Sequence, residues 1–178
     1  GRGAEAGVLI KHAEALEILE RVDTLIVDKT GTLTEGKPTV VTVEPVVGVS
    51  ASEVLRVAAA LERGSEHPLA AAITEAATAK ALRLPLPQEF RAEVGLGVTG
   101  AIEGRAVMVG TAALLKERGV ETAVLSSRVR ELRQQGQTVV YVAVAGQLLG
   151  LLGVADPIKP TTPEALGELR AEGLRIVM

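Results

Sequence analysis

The sequence has no cysteine and no tryptophan, only two histidines (His12 and His67), and only Phe90 and Tyr141 as aromatic residues. Without cysteine there is no disulfide framework, and the two histidines alone do not make a Cys/His zinc site. Two isolated aromatics cannot form a base-stacking platform for single-stranded nucleic acid. Positive charge is not in excess: 19 Lys and Arg stand against 22 Asp and Glu, a formal net charge of −3. That balance argues against a nucleic-acid partner, which usually requires a basic face. No charged leader with an apolar run and a cleavage site opens the chain, so no signal peptide is read. The longest apolar stretch, Val139–Ala155, falls short of the ~20 residues that cross a bilayer. Gly146-Gln147 at its centre, between β-branched runs, reads instead as a tight turn joining two buried strands. The expectation is a soluble, cytosolic chain.

What is present is a core-forming composition. The chain of 178 residues is 47% hydrophobic, mostly Ala, Val and Leu. That suits a tightly packed, heat-tolerant core and suffices for one domain or pieces of two. A short amphipathic helix is expected over Ala13–Glu20. Thr24–Val27 then reads as a buried parallel strand ending at Asp28, and ligands bind at that end of an open α/β sheet. Beyond Gly36-Lys37-Pro38, with Pro38 as a hinge, comes a separate strand from Thr39. Ser50 with Glu53 forms a capping box for a helix reaching Glu62, and Gly64 ends it. Ser65 is the expected cap of a second helix over Glu66–Ala81, with Pro68 in its first turn. Strands follow between Glu89 and Gly110, turning at Glu103-Gly104, then helices over Ala112–Arg118 and Ser126–Gln135. After Asp156-Pro157, Thr162-Pro163 starts a helix to about Glu172, and Leu174–Met178 is a second buried-type strand. The fold class is α/β, with a hairpin-rich insert between two parallel-type strands.

The strongest chemical signal is Asp28-Lys29-Thr30-Gly31-Thr32-Leu33-Thr34. A lone Asp-x-x-Gly would mark only a strand entering a turn. A carboxylate at a strand tip followed by a glycine-containing turn can also attack a phosphoryl group while backbone N–H groups face its oxygens. Ser65-Glu66-His67-Pro68 is the second signal. A histidine opening a helix is commonly a cap, but its ring can also face a base or phosphate at that helix end. The third, Gly95-Leu96-Gly97-Val98-Thr99-Gly100, imitates a dinucleotide fingerprint. It continues into a hairpin rather than a helix, so a nicotinamide cofactor is rejected, and a plain glycine-rich turn is the simplest reading. Asp156 and Lys159 read equally as a hinge or as a solvated ion pair.

Residues 28–34 spell DKTGTLT, which resembles the phosphorylation motif of P-type ATPases. The Ser-Glu-His-Pro string is similar to the nucleotide-domain signature of their heavy-metal (P1B) class. The resemblance implies a nucleotide-binding domain, with a mainly antiparallel sheet flanked by helices, over residues 36–153. That domain is inserted into a partial haloacid-dehalogenase-like, Rossmann-like phosphorylation domain formed by residues 1–35 and 154–178. It implies that Asp28 accepts the γ-phosphate of ATP, supported by Lys29, Thr30, Gly31 and Thr32. Mg²⁺ is then held by Asp28 and the Thr30 carbonyl. Glu62 and His67 become adenine-site residues, Gly95, Gly97 and Gly100 the nucleotide loop, and Gly110-Thr111 a departure from the family's usual Gly-Asn. Pro38, Asp156 and Lys159 become hinge residues.

By the same resemblance the function is ATP binding for a metal-exporting pump, with copper(I) as the ion. Export of zinc, cadmium or lead is the first alternative, and a haloacid-dehalogenase phosphatase is another. The latter usually carries a second Asp two residues after the nucleophile, where this chain has Thr30. A non-catalytic nucleotide-sensing module is a third reading. The transported ion is not expected to touch this portion. The implied partners are ATP, the transmembrane and actuator domains of the same transporter in the plasma membrane, and a metallochaperone; the piece itself is expected to be monomeric. With no aromatic in a motif, adenine is expected to be held by hydrogen bonds and aliphatic contacts, with high-micromolar to millimolar affinity. The piece is expected to bind ATP without completing turnover.

Overall fold

The computed structural model describes residues 20–178 together with Glu14 and Ile18. Of the helix expected over Ala13–Glu20, the residues other than Glu14, Ile18 and Glu20 lie outside the described set. In chain order the elements are β1 (Thr24–Ile26), β2 (Thr39–Pro45), α1 (Ala51–Glu62), α2 (Pro68–Ala79), β3 (Gln88–Glu93), β4 (Gly97–Ile102) and β5 (Arg105–Gly110). They continue with α3 (Ala112–Glu117), a 3-10 turn (Ala123–Leu125), α4 (Ser126–Gln134), β6 (Thr138–Val144), β7 (Gln147–Ala155), α5 (Thr162–Ala171) and β8 (Arg175–Val177). The chain divides into two compact units: residues 37–157, and the segments up to Gly36 and from Ile158 onward. β7 runs two residues past the expected boundary at 153, because Val154 pairs with both Val40 and Thr138.

In the larger unit all six strands are antiparallel, in the order β2-β7-β6-β5-β4-β3. Alternation along the strands sends Val107, Val109, Val140, Val142 and Leu152 to one face, against Leu55, Leu61 and Ile73 of α1 and α2. Met108, Val139, Tyr141 and Leu151 go to the other, against Leu114, Leu115 and Leu132 of α3 and α4. Both faces are thus covered, and the β6–β7 run that is apolar in sequence is buried on both sides. Its hairpin turns at Ala145 and Gly146, both with positive φ (48° and 77°), the backbone of a type I′ turn. Glu103-Gly104 turns the β4–β5 hairpin in the same way (51° and 74°).

Local signals resolve into specific contacts. The Ser50 hydroxyl accepts the Glu53 N–H at 3.1 Å, half of a capping box. The reciprocal half is not made, because the Glu53 carboxylate instead takes the Arg56 guanidinium at 2.7 and 2.9 Å. Gly64 follows α1 without a positive φ; a Cβ there would meet the Phe90 ring at 2.7 Å, so packing demands the glycine. Helix α2 starts at Pro68, not Glu66. His67, rather than Ser65, is its cap, since the imidazole offers an acceptor in place of a hydroxyl.

The smaller unit contains a parallel pair, with Thr24, Leu25 and Ile26 opposite Arg175, Ile176 and Val177. These strands are not buried as expected: Ile26 is 79% exposed and Met178 76%. Two strands with only α5 packed on β8 leave a face without a covering layer among the described residues. No helix among the described residues is long and apolar enough to cross a membrane.

Candidate functional site

Two clusters of candidate residues form, each inside one unit. In the smaller unit Asp28 stands exposed just past β1, in extended conformation (φ −69°, ψ 143°). The loop that follows turns at Gly31, whose φ of 75° disfavours any residue with a Cβ. Lys29, Thr30, Gly31 and Thr32 are exposed with Asp28, whereas Thr34 is 1% exposed. The Thr34 hydroxyl accepts the Gly31 N–H and donates to the Lys29 carbonyl, each at 3.1 Å. One buried threonine thereby closes the loop on itself. From the other segment of this unit, the Lys159 ammonium donates to the Gly31 carbonyl at 2.8 Å and the Thr162 hydroxyl to the Leu33 carbonyl at 2.8 Å.

Asp28 and the Thr30 carbonyl offer hard oxygen donors of the kind Mg²⁺ accepts while keeping water and phosphate as its other ligands. Among the described residues no group of three or more His, Cys, Asp or Glu could hold a metal ion.

In the larger unit a pocket of about 310 Å³ is lined by Glu62, His67, Gly95, Gly97, Gly110 and Thr111, with Leu69, Leu96, Val98 and Val140 among its aliphatic walls. Neither Phe90 nor Tyr141 lines it. Glu62 is 7% exposed, and burial pushes its carboxyl up to about 7 against a hydrogen bond from Ser65 that favours the ionised form. The Ser65 hydroxyl also accepts the His67 N–H at 3.2 Å. Nδ1 of His67 accepts the Leu69 N–H at 3.1 Å, capping α2. In a neutral ring the proton then sits on Nε2, the nitrogen not used by the cap, which makes it a donor for a ligand.

The family follows from residues 22–178, which match the haloacid dehalogenase-like hydrolases. The chain belongs to that family. Along its full length it is 48% identical, over 178 residues, to the silver-exporting P-type ATPase of Salmonella typhimurium. It is 49% identical, over 180 residues, to the copper-exporting P-type ATPase of Legionella pneumophila. The chain spans 22% and 24% of those two proteins, about a quarter of their length or less. A crystal structure of a zinc-transporting PIB-type ATPase in its E2.Pi state matches with a TM-score of 0.87 at 38% identity, over 98% of this chain and 28% of that one. The chain is thus similar throughout to a segment of heavy-metal P1B-type ATPases, and the antiparallel sheet with a small parallel pair accords with that segment.

Within this family segment, the candidates from sequence distribute as follows. Glu62, His67, Gly95, Gly97, Gly110 and Thr111 line one pocket. Gly100 does not: a Cβ there would press on Leu61 and the Gln88 carbonyl, and it borders a different cleft with Glu89, Arg91 and Arg118. Gly97 (φ 145°) and Gly110 pair across β4 and β5, and a Cβ on Gly97 would lie 2.5 Å from the Gly110 Cα. Their lack of side chains is therefore used by the close approach of two strands, while Gly95 (φ 71°) has open space beside it. The Thr111 hydroxyl accepts the Leu114 N–H at 3.4 Å, capping α3. Asp156 accepts the Lys37 N–H at 3.1 Å, next to Pro38. Thr34 and Ser65, which lie within the signals at 28–34 and 65–68, join these sites through their own hydrogen bonds, whereas Thr162 was legible only as a helix start, because its partner Leu33 lies in a distant segment.

Proposed function

We propose that this chain is the ATP-binding and phosphoryl-accepting region of a copper(I)-exporting P-type ATPase. The observation that carries the proposal is the convergence of Glu62 and His67 with Gly95, Gly97, Gly110 and Thr111 on one pocket, in a chain with DKTGTLT at a strand tip. The pocket has an apolar wall for a base, a carboxyl that switches near neutrality, and an imidazole N–H donor. A protonated carboxyl can donate to a ring nitrogen of adenine while its carbonyl oxygen accepts from the amino group. Asp28 attacks the γ-phosphorus; the new bond joins its carboxylate oxygen to phosphorus, the bond to the β–γ bridging oxygen breaks, and ADP leaves. Mg²⁺ held by Asp28 and the Thr30 carbonyl would supply charge neutralisation there. Thr30 offers no carboxyl for hydrolysis where haloacid-dehalogenase phosphatases carry their second Asp, which favours a lasting phosphoenzyme.

Copper is favoured by similarity to silver and copper exporters, and the zinc transporter's likeness over the same segment reflects machinery shared among ions. The remaining partners are the transmembrane and actuator domains of the same pump in the plasma membrane, and a metallochaperone. Pro38 and Asp156 act as the hinge between residues 36–153 and the phosphorylated portion. Titrating ATP into this chain and its His67→Ala variant, followed by amide chemical shifts, tests the site. Affinity is expected to fall about tenfold, equivalent to ~1.4 kcal/mol; an unchanged affinity would remove the assigned pocket.

A further inference from the structure

We propose that Lys159 and Thr162 are positioning residues for phosphoryl transfer: they lock the Gly31–Leu33 backbone behind Asp28. This rests on the reading of Asp28 as the phosphorylated residue. Four hydrogen bonds converge on this short loop. The Lys159 ammonium holds the Gly31 carbonyl at 2.8 Å. The Lys159 N–H and the Thr162 hydroxyl share the Leu33 carbonyl, at 3.0 and 2.8 Å. The Thr34 hydroxyl holds the Gly31 N–H at 3.1 Å. Thr162 is 7% exposed and Thr34 1%, so the bonds of their hydroxyls are partly shielded from water, whereas the Lys159 ammonium bond is exposed and rests on its charge assistance; Thr34 also bridges to Ile158 in antiparallel fashion.

The consequence is directional. A trans peptide is planar, so turning the Gly31 carbonyl to Lys159 turns the Thr32 N–H of the same plane the opposite way. A carbonyl free to rotate toward an incoming phosphate would present its negative end to an anion. With the Gly31 and Leu33 carbonyls bound, the loop is fixed before ATP arrives, and no reorganisation accompanies charge transfer. The ammonium also adds a positive charge to the loop that receives a phosphoryl dianion. Gly31, with its left-handed φ, would otherwise be the point where this backbone flips.

The test uses Lys159→Met, Lys159→Arg and Thr162→Val, with Asp28→Asn as the control. In this chain, Lys159→Met is expected to speed amide exchange at residues 31–34 at least tenfold while β6 and β7 stay protected. In the full-length protein it is expected to slow phosphoenzyme formation from ATP about tenfold or more at saturating ATP, with little change in the half-saturating concentration, and Lys159→Arg restores most of the rate. Wild-type exchange and wild-type rate in Lys159→Met would overturn the proposal, as would a slowed rate that Lys159→Arg leaves unrescued. If Lys159→Met instead unfolds the β1–β8 pair, Thr162→Val, which removes one hydroxyl at nearly constant volume, carries the same two readouts. Should the wild-type protein form no phosphoenzyme at Asp28, the functional reading fails while the exchange experiment still decides whether the loop is locked.

Discussion

The two units of this chain reach order by different routes. The larger unit buries both faces of a six-stranded sheet, and Leu55, Leu61, Leu114 and Leu152 are completely inaccessible. In the smaller one Ile26 is 79% exposed, and the loop carrying Asp28 is held by named polar bonds from Thr34, Lys159 and Thr162. Hydrophobic burial is non-directional and tolerates small shifts, whereas hydrogen bonds specify the orientation of each peptide plane. The contrast suits the proposed division of labour: a packed scaffold walls a nucleotide pocket, and a bonded loop aims a nucleophile.

The largest expected effect separates chemistry from binding. Asp28→Asn is expected to abolish acid-stable phosphoenzyme in the full-length protein, a loss of more than ~10³-fold when the nucleophile is removed. ATP-induced shifts around His67 in this chain should stay as in wild type. Loss of those shifts would mean that the two sites are not separable. The packing half of the comparison is sharpened by truncation: Leu55→Ala is expected to cost about 2–5 kcal/mol in urea unfolding. Ile26→Ala, at an exposed position, should stay within about 0.5 kcal/mol. Comparable costs at the two positions would break the comparison.

Glu62 provides a pH test of the buried unit. Its carboxyl titrates near 4.5 when solvated and at about 7 in the fold. Between these values the unfolded chain has released a proton that the folded chain keeps, so raising the pH favours unfolding. The penalty grows above pH 4.5 and is complete above about 7, amounting to about 3 kcal/mol. Glu62→Gln should flatten that slope and be more stable than wild type at pH 8, as read from urea midpoints at pH 5 and 8. The smallest effect concerns Thr111: Thr111→Asn keeps a good helix cap and should change stability by less than about 0.5 kcal/mol. A several-fold gain in ATP affinity would show that an amide there reaches the ligand.

Much of this was readable along the chain because the signals are local. The apolar run ending at Asp28, the Ser50 cap, the Glu103-Gly104 turn and the paired strands around Gly146 each depend on neighbours a few residues away. Local signals do not reach the positions where a distant contact sets the packing. Gly64 is set by the Phe90 ring, Gly97 and Gly110 by each other, and Gly100 by Leu61 on α1 rather than by the pocket. The cap of α2 passed from Ser65 to His67, because an imidazole nitrogen reached the Leu69 N–H.

The sequence by itself determined the chemistry on offer: an aspartate at a strand tip before a glycine turn, a histidine before Pro68, and no aromatic ring among the motif residues. These are properties of residue type and short spacing. Only the tertiary structure decided that Glu62 is buried enough to titrate near neutrality and that Lys159 and Thr162 reach back to residues 31 and 33. Solvation and peptide-plane orientation depend on which atoms surround a group in space, and those atoms come from residues up to 78 positions away around Glu62 and more than a hundred away around Gly31 and Leu33.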